Sequence, residues 1–296
     1  MGISAAQVKE LRERTGLGMM ECKKALVESD GNMEKAIELL RKRAGAKVEK
    51  RAGRTAAEGR ISIHVTNDGR LAAMAEINSE TDFVAKEERF VSFADAVAAC
   101  VANYNPVDLD ALLMLPVEEG KADTVAQVSE NLVARLGEKI GVRRFVRYES
   151  ESGHIISSYL HDGRIGVIVE MKGGGKELAR DIAMHISWYR PEYLSKDGVP
   201  PDVVAKEKEI LMEQARGSGK PAEIVEKMVA GRTNKYLNEI TLLGQPFVKD
   251  QDVTVEKLLK SGSATVRRYV RYEVGEGIEK KTGNFAAEVM AQVEGG

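Results

Sequence analysis

Cysteine is nearly absent from this chain, and Cys22 and Cys100, its only two, stand far apart. They match neither a disulfide framework nor the paired spacing of a zinc site, which points to a reducing, cytoplasmic setting. Long apolar runs are missing as well. None approaches the roughly 20 residues that a membrane span needs, and the opening MGISAAQVKELRERTG passes at once into polar, helix-like sequence. Neither secretion nor membrane insertion is expected. Gly2 invites a myristoylation reading, but position 6, where that motif wants Ser or Thr, holds Ala6. No charge sign dominates either: 44 basic against 46 acidic side chains leave a net charge of -2. The molecule as a whole therefore lacks the positive field of a nucleic-acid binder, and a protein partner is favoured.

Catalytic constellations are also scarce. His64, His154, His161 and His185 are scattered with no HExxH or other metal spacing, and no GxSxG elbow occurs. Gly173-Gly174-Gly175-Lys176 comes after the strand-like GVIVEM and precedes a helix, as a phosphate loop would. Its spacing is wrong, because Glu170 occupies the place of the first glycine and Glu177 that of the metal-binding hydroxyl. A tight strand-to-helix turn explains the glycines as well; a nucleotide-dependent enzyme is the alternative. No catalytic residue, metal or cofactor is assigned.

What is present is a soluble globular composition, 43% hydrophobic and 30% charged, in a 296-residue chain long enough for two or three domains. Ser4 and Gln7 form a capping box that opens a helix carrying Val8 and Leu11, ended by Thr15-Gly16. A second helix runs from about Met19 to Ser29, and Asn32 caps a third with Met33, Ala36, Ile37 and Leu40 on one stripe. Residues 1–44 thus read as a three-helix unit. Residues 45–59 carry Lys47, Lys50, Arg51 and Arg54 and read as a solvated basic linker, with RNA contact as the alternative.

Beyond residue 60 the sequence repeats itself. ISIHVTNDGRLAAMAEI (61–77) parallels IISSYLHDGRIGVIVEM (155–171), each a β-hairpin with Asp-Gly tolerating the positive φ of a tight turn. FADAVAACVA from Phe93 lies over LARDIAMHIS from Leu178, and RRFVRYE (143–149) nearly duplicates RRYVRYE (267–273). The expected fold is α+β, with related subdomains at 60–150 and 151–274. Between hairpin and helix the first copy carries NSETDFVAKEERFVS, residues 78–92, where the second has only KGGGKE. The second copy gains residues 200–235, an antiparallel helical hairpin whose expected stripes are Val203, Ile210 and Gln214 facing Ile224, Met228 and Val229. Residues 275–296 close the chain, with Phe285, Val289 and Val293 on one helical face.

At RTGLGMMECKKAL (14–26), SETDFVAKEERF (79–90), YLHDGRIGV from Tyr159, SGKPAEIVEKMVAGR from Ser218, GQPFV from Gly244 and YEVGEGIEK from Tyr272, the chain resembles elongation factor Ts. The resemblance covers essentially the whole sequence. It implies a ubiquitin-associated-like N-terminal module, a duplicated core, a dimerisation hairpin and a C-terminal docking helix. It further implies a nucleotide-exchange factor, not an enzyme, whose partner is the GTPase elongation factor Tu. By carry-over, Thr81, Asp82, Phe83 and Val84 would enter the GTPase near its magnesium and dislodge the ion. Arg12, Met19, Met20, His161, Phe285 and Val289 would contact the partner. Read from the residues alone, Phe83 is either a wedge or core, and Asp82 either a displacing charge or a helix cap. Met19 and Met20 are adjacent, so one at least should be exposed. Gly283-Asn284 depart from the acidic residue the family more often has before its last helix.

Overall fold

The structure, a computed structural model, describes residues 2–216 and 221–279. It is a mixed α+β protein whose chain forms two compact units. One takes in Met1–Ser62, Met74–Val146 and the described residues from Glu273 on; the other takes in Ile63–Ala73 and Arg147–Tyr272.

The first unit begins with α1 (Ala5–Thr15), α2 (Met19–Glu28) and α3 (Met33–Arg51). The capping box forms: Gln7 N–H donates to Ser4 Oγ at 3.2 Å and Ser4 N–H to Gln7 Oε1 at 3.0 Å. Gly16, at φ 69°, ends α1 in the left-handed conformation. Leu11, Cys22, Ala25, Leu26 and Ala36 are fully buried where the three helices meet. α3 runs past residue 44 to Arg51, so the basic segment expected to be a linker starts as helix. Ala44, Ala46, Lys47, Glu49 and Lys50 are good helix formers, and one Gly45 costs only about 1 kcal/mol. Lys139 Nζ then donates to the carbonyls of Ala52 at 2.6 Å and Arg54 at 3.0 Å, where the helix has run out of partners.

Strands β1 (Glu58–Val65), β2 (Leu71–Ser79) and β3 (Gly141–Glu149) form a sheet in that order. Between β2 and β3 come α4 (Asp82–Ala85), α5 (Glu88–Tyr104), α6 (Leu109–Met114) and α7 (Val125–Leu136). α5 buries Phe90, Phe93, Val97 and Val101 at helical spacing. α7 meets α5 on one side and α3 on the other, where Ala134 joins the three-helix core.

In the second unit β4 (His154–His161) and β5 (Ile165–Lys172) pair antiparallel, His154 opposite Lys172 and His161 opposite Ile165. β8 (Thr265–Glu273) adds to β5. α8 (Gly175–Tyr189) lies across β4 and β5, burying Ala179, Ile182, Ala183 and Ile186 against Val167, Val169 and Met171. β6 (Pro246–Phe247), β7 (Asp250–Thr254) and α11 (Val255–Ser261) complete that core with Phe247, Val255 and Leu259. The helical pair is α9 (Pro201–Arg216) and α10 (Ala222–Ile240), which pack together. Their seam is Leu211, Ala215, Val225 and Val229, so that of the expected Val203, Ile210 and Gln214 facing Ile224, Met228 and Val229 only Val229 lies in it. Ile210 and Ile224 stand 43% and 47% exposed instead. The apolar residues cover more than one stripe, and pattern alone leaves the rotation of each helix open by one position.

The Asp-Gly turns differ as well. Asp162 (φ 49°) and Gly163 (φ 69°) are both left-handed, a two-residue type I′ turn closed by Arg164 N–H on His161 O at 2.8 Å. In the first hairpin only Gly69 (φ 70°) is left-handed, contrary to the expectation for Asp68. There Thr66 N–H reaches Leu71 O, which leaves four residues in the loop. Asp68 serves as a cap, accepting from Thr66 Oγ1 at 2.6 Å and Arg70 N–H at 3.0 Å.

Each unit buries a glutamate. Glu76 accepts from Arg143 at 3.0 Å, Arg144 at 2.6 Å and the Gly275 N–H at 2.8 Å. Burial pushes its pKa up, but the Gly275 N–H and the two guanidiniums outweigh that and hold it below the ordinary carboxylate range. Glu170 accepts from Arg268 at 2.6 Å and the Glu151 N–H at 3.2 Å, with His154 at 3.1 Å and Arg267 at 3.6 Å. Its pKa is likewise lowered: burial opposes the shift, and Arg268, the Glu151 N–H and His154 prevail.

Candidate partner-binding site

The segment that only the first copy carries forms a short projection with a fixed base. Ser79 Oγ donates to Thr81 O at 2.9 Å as β2 ends. Glu138, in the turn after α7, accepts both Thr81 N–H at 2.9 Å and Thr81 Oγ1 at 2.6 Å. Glu80 in turn accepts Lys139 N–H at 2.6 Å and lies 3.4 Å from Arg54. Two carboxylates thus tie the base of the projection to the approach of β3. Thr81 also caps α4 by accepting Val84 N–H at 3.4 Å, and Glu87 caps α5 through Arg89 and Phe90 N–H.

On this base Val84 and Ala85 turn inward, while Phe83 is 82% exposed. The core reading of Phe83 is excluded, and Val84 anchors the turn rather than facing solvent. Asp82 is not the cap, a role that Thr81 holds; it occupies the first turn of α4, with Lys86 Nζ 2.7 Å from Oδ2. A phenyl ring left in water forgoes roughly 2 kcal/mol of burial. Here it is held on a turn with few degrees of freedom, so a partner that covers it recovers that energy at low ordering cost.

Arg12 stands exposed in the last turn of α1. Met19 and Met20 are both exposed, at 58% and 74%, while Cys22, Ala25 and Leu26 take the core face of α2. Val27, also exposed, is a residue that the sequence reading missed; it lies seven positions after Met20 and therefore on the same face. In the second unit His161 is exposed beside its turn, stacked 6.2 Å from Tyr159 and 3.3 Å from that hydroxyl through Nδ1. These two line a groove of about 430 Å³ with Ile165, Met184 and Trp188. Trp188, the only tryptophan, is 73% exposed and was also missed. The signal was available, because position 188 falls off the stripe made by residues 179, 182, 183 and 186. Phe285 and Val289 lie outside the described residues.

The remaining expected chemistry is accounted for by packing. Gly173, Gly174 and Gly175 are all left-handed, and a Cβ on Gly173 would sit 2.2 Å from Ser263 O, so close backbone approach requires the glycine. His185 is fully buried: Val248 N–H donates to Nδ1 at 3.2 Å, so Nε2 carries the proton and donates to Gln245 Oε1 at 3.0 Å. Burial lowers its pKa to about 4, against a smaller raising effect of Gln245. None of the described helices is long and apolar enough to cross a membrane.

Residues 80–276 match the family model described as elongation factor TS, which sets the chain among the translation elongation factors. Elongation factor Ts of Methylococcus capsulatus is 58% identical over 99% of both chains, and that of Alkalilimnicola ehrlichii 57% identical over 100% of both. Elongation factor Ts of Thioalkalivibrio sulfidiphilus is 56% identical, again over the full length of both. The chain belongs to the elongation factor Ts family.

Proposed function

We propose that the chain is a guanine-nucleotide exchange factor of translation elongation. It binds elongation factor Tu in its GDP form, displaces the Mg2+ and lets GDP leave so that GTP can rebind. No bond is made or cut, and no cofactor is needed. A GTPase holds GDP through backbone contacts to the phosphates and through a metal ion on the β-phosphate. A partner that favours the nucleotide-free state must, by linkage, weaken GDP binding by the same factor. The observation that supports this reading best is Phe83, 82% exposed on a turn tied down by Glu138 and Glu80. In this reading Phe83 is the wedge and Asp82 the competing negative charge near the magnesium; Thr81 and Val84 hold the turn in shape.

The N-terminal module of residues 1–44 adds affinity through Arg12, Met19 and Met20, and His161 touches a second part of the GTPase. The C-terminal segment, 275–296, docks through Phe285 and Val289. The segments 60–150 and 151–274 act as paired core subdomains, and the 200–235 hairpin joins two copies of the chain through Ile210 and Ile224. The setting is the cytoplasm, with no direct part for nucleic acid or membrane. The experiment is release of labelled GDP from purified elongation factor Tu with and without this chain. Acceleration at substoichiometric amounts is expected, and an unchanged release rate refutes the reading. The Asp82→Ala variant should lose part of the acceleration, and that loss should shrink when Mg2+ is chelated.

A further inference from the structure

The two copies of the repeat also differ just ahead of their closing strands. Counted back from the paired arginines, Glu138-Lys139 of the first copy stand where the second has Gly262-Ser263. In the second copy this position meets the glycine turn through its backbone, since a Cβ on Gly173 would clash with Ser263 O. In the first it meets the Thr81 turn through a side chain: Glu138 takes Thr81 N–H on Oε2 and the Thr81 hydroxyl on Oε1. The carboxylate thus occurs in the copy that has a projection to hold. It is itself held on both sides. Gly137, at φ 80°, turns the chain out of α7 in the left-handed conformation, and Ser129 Oγ donates to the carbonyl of buried Ile140 at 3.3 Å. Lys139 donates its N–H to Glu80 and its ammonium to the carbonyls of Ala52 and Arg54. Phe83, by contrast, has almost no cover, and the four residues of α4 are too few to fix their own direction. The orientation of the ring therefore depends on the backbone at Thr81.

We propose that Glu138 is a positioning residue for nucleotide exchange: by holding Thr81 at two atoms it presents the Phe83 ring and the Asp82 carboxylate to the GTPase in one orientation. The proposal rests on the exchange-factor reading and adds to it a residue that touches neither the nucleotide nor the metal. Both oxygens of Glu138 are engaged with Thr81, and Ser79 Oγ holds the Thr81 carbonyl from the other side. The contribution of Glu138 therefore lies in its hydrogen bonds rather than in a charge offered to the partner. A turn without them would have to be ordered during exchange itself, and that ordering slows the step.

The test is GDP release from elongation factor Tu over a series of full-chain concentrations, with thermal melting of each variant. Glu138→Ala should lower the maximal release rate roughly ten-fold, with a smaller change in the half-saturating concentration and the fold kept. Glu138→Gln should recover most of the rate, because its amide oxygen can accept Thr81 N–H while its NH2 donates to Oγ1. On a Phe83→Ala background Glu138→Ala should add little, as expected of two residues acting through one element. In the free chain, amide hydrogen exchange over residues 80–86 should rise in Glu138→Ala and fall back in Glu138→Gln. If the parent accelerates release but Glu138→Ala matches it, or if its loss is fully additive with that of Phe83→Ala, the positioning role fails while the exchange reading stands. Glu138→Gln as slow as Glu138→Ala would show that charge is what counts, and would overturn the proposal too. If Glu138→Ala does not fold, Thr81→Val, which removes the hydroxyl bond, carries the same comparison against Thr81→Ser. If the parent itself leaves release unchanged, the exchange reading fails, and protection over residues 80–86 still decides whether Glu138 holds the turn.

Discussion

The two copies of the repeat share their most buried charge but not the segment that leads on from it. Glu76 and Glu170 occupy the same repeat position, and each is held by the arginine pair of a closing strand. Each also accepts an N–H two residues beyond the end of a closing strand, Gly275 after β8 and Glu151 after β3. Past the buried acid the copies diverge. Residues 78–92 carry an anchored turn with an exposed phenyl ring, whereas 172–177 is a glycine turn pressed on Ser263. The recurring part answers the cost of a carboxylate in a dry sheet, which only full pairing offsets. The part that does not recur is free of that constraint and open to another task.

The sharpest way to break this comparison is to remove the shared acids. Glu76→Ala leaves two guanidiniums and an N–H without their acceptor and should cost about 3–5 kcal/mol, read by urea unfolding. Glu170→Ala should cost less, because the Arg267 and Arg268 side chains are 38% and 40% exposed against 28% and 29% for Arg143 and Arg144. Equal losses would mean that solvent does not soften the second site.

Acid should separate the copies next. His185 and Cys100 share one helix position, but only His185 titrates in the mildly acidic range. Its folded pKa of about 4 lies below the 6.5 of an unperturbed histidine. Protons therefore bind the unfolded chain first, and stability is full above about pH 6.5 and declines as pH falls toward 4. The loss is on the order of 3 kcal/mol at most. Hydrogen exchange monitored by mass spectrometry should show the second unit losing protection in that window before the first. In His185→Gln the difference should narrow. Below it, both buried glutamates add a further loss as pH drops through their lowered pKa values.

The divergent segments offer a milder contrast. Phe83→Ala should remove roughly 2 kcal/mol of partner binding in the exchange transition, some 30-fold in GDP-release rate, without changing Tm. Gly173→Ala should do the reverse, lowering Tm through its left-handed φ and the clash with Ser263 O while exchange per folded molecule holds. A fall in Tm for Phe83→Ala would show that the ring supports its own fold. The smallest effect lies in the turns. Asp162→Gly relieves a left-handed non-glycine residue and should stabilise by about 0.5 kcal/mol. Asp68→Gly removes a cap from a residue of ordinary φ and should destabilise by a similar amount.

Much of the fold was legible in the chain's local spacing. The Ser4–Gln7 box, the Asn32 cap, the Asp162-Gly163 turn and the apolar faces of α5 and α8 depend on neighbours within a few residues, so sequence carries them. The α9–α10 seam was not legible, since a crowded apolar pattern fits two rotations and packing chooses between them. Nor was the burial of Glu76 and Glu170. A glutamate in a strand reads as solvent-facing unless its partners are known, and those partners lie 67 to 199 residues away for Glu76.

The same division runs through the candidate site. Sequence singled out residues 78–92 because one copy has them and the other does not, and resemblance supplied a role for Phe83. It left the ring's position open between wedge and core. That choice fell to Glu138 and Lys139, which fix Thr81 and Glu80 from a distant part of the chain so that Val84 and Ala85 fill the interior and Phe83 is left outside. Trp188 belongs to the same category. Local sequence determines which face of a helix is apolar, but which charges find partners, and which rings find cover, is decided by residues brought together only when the chain has folded.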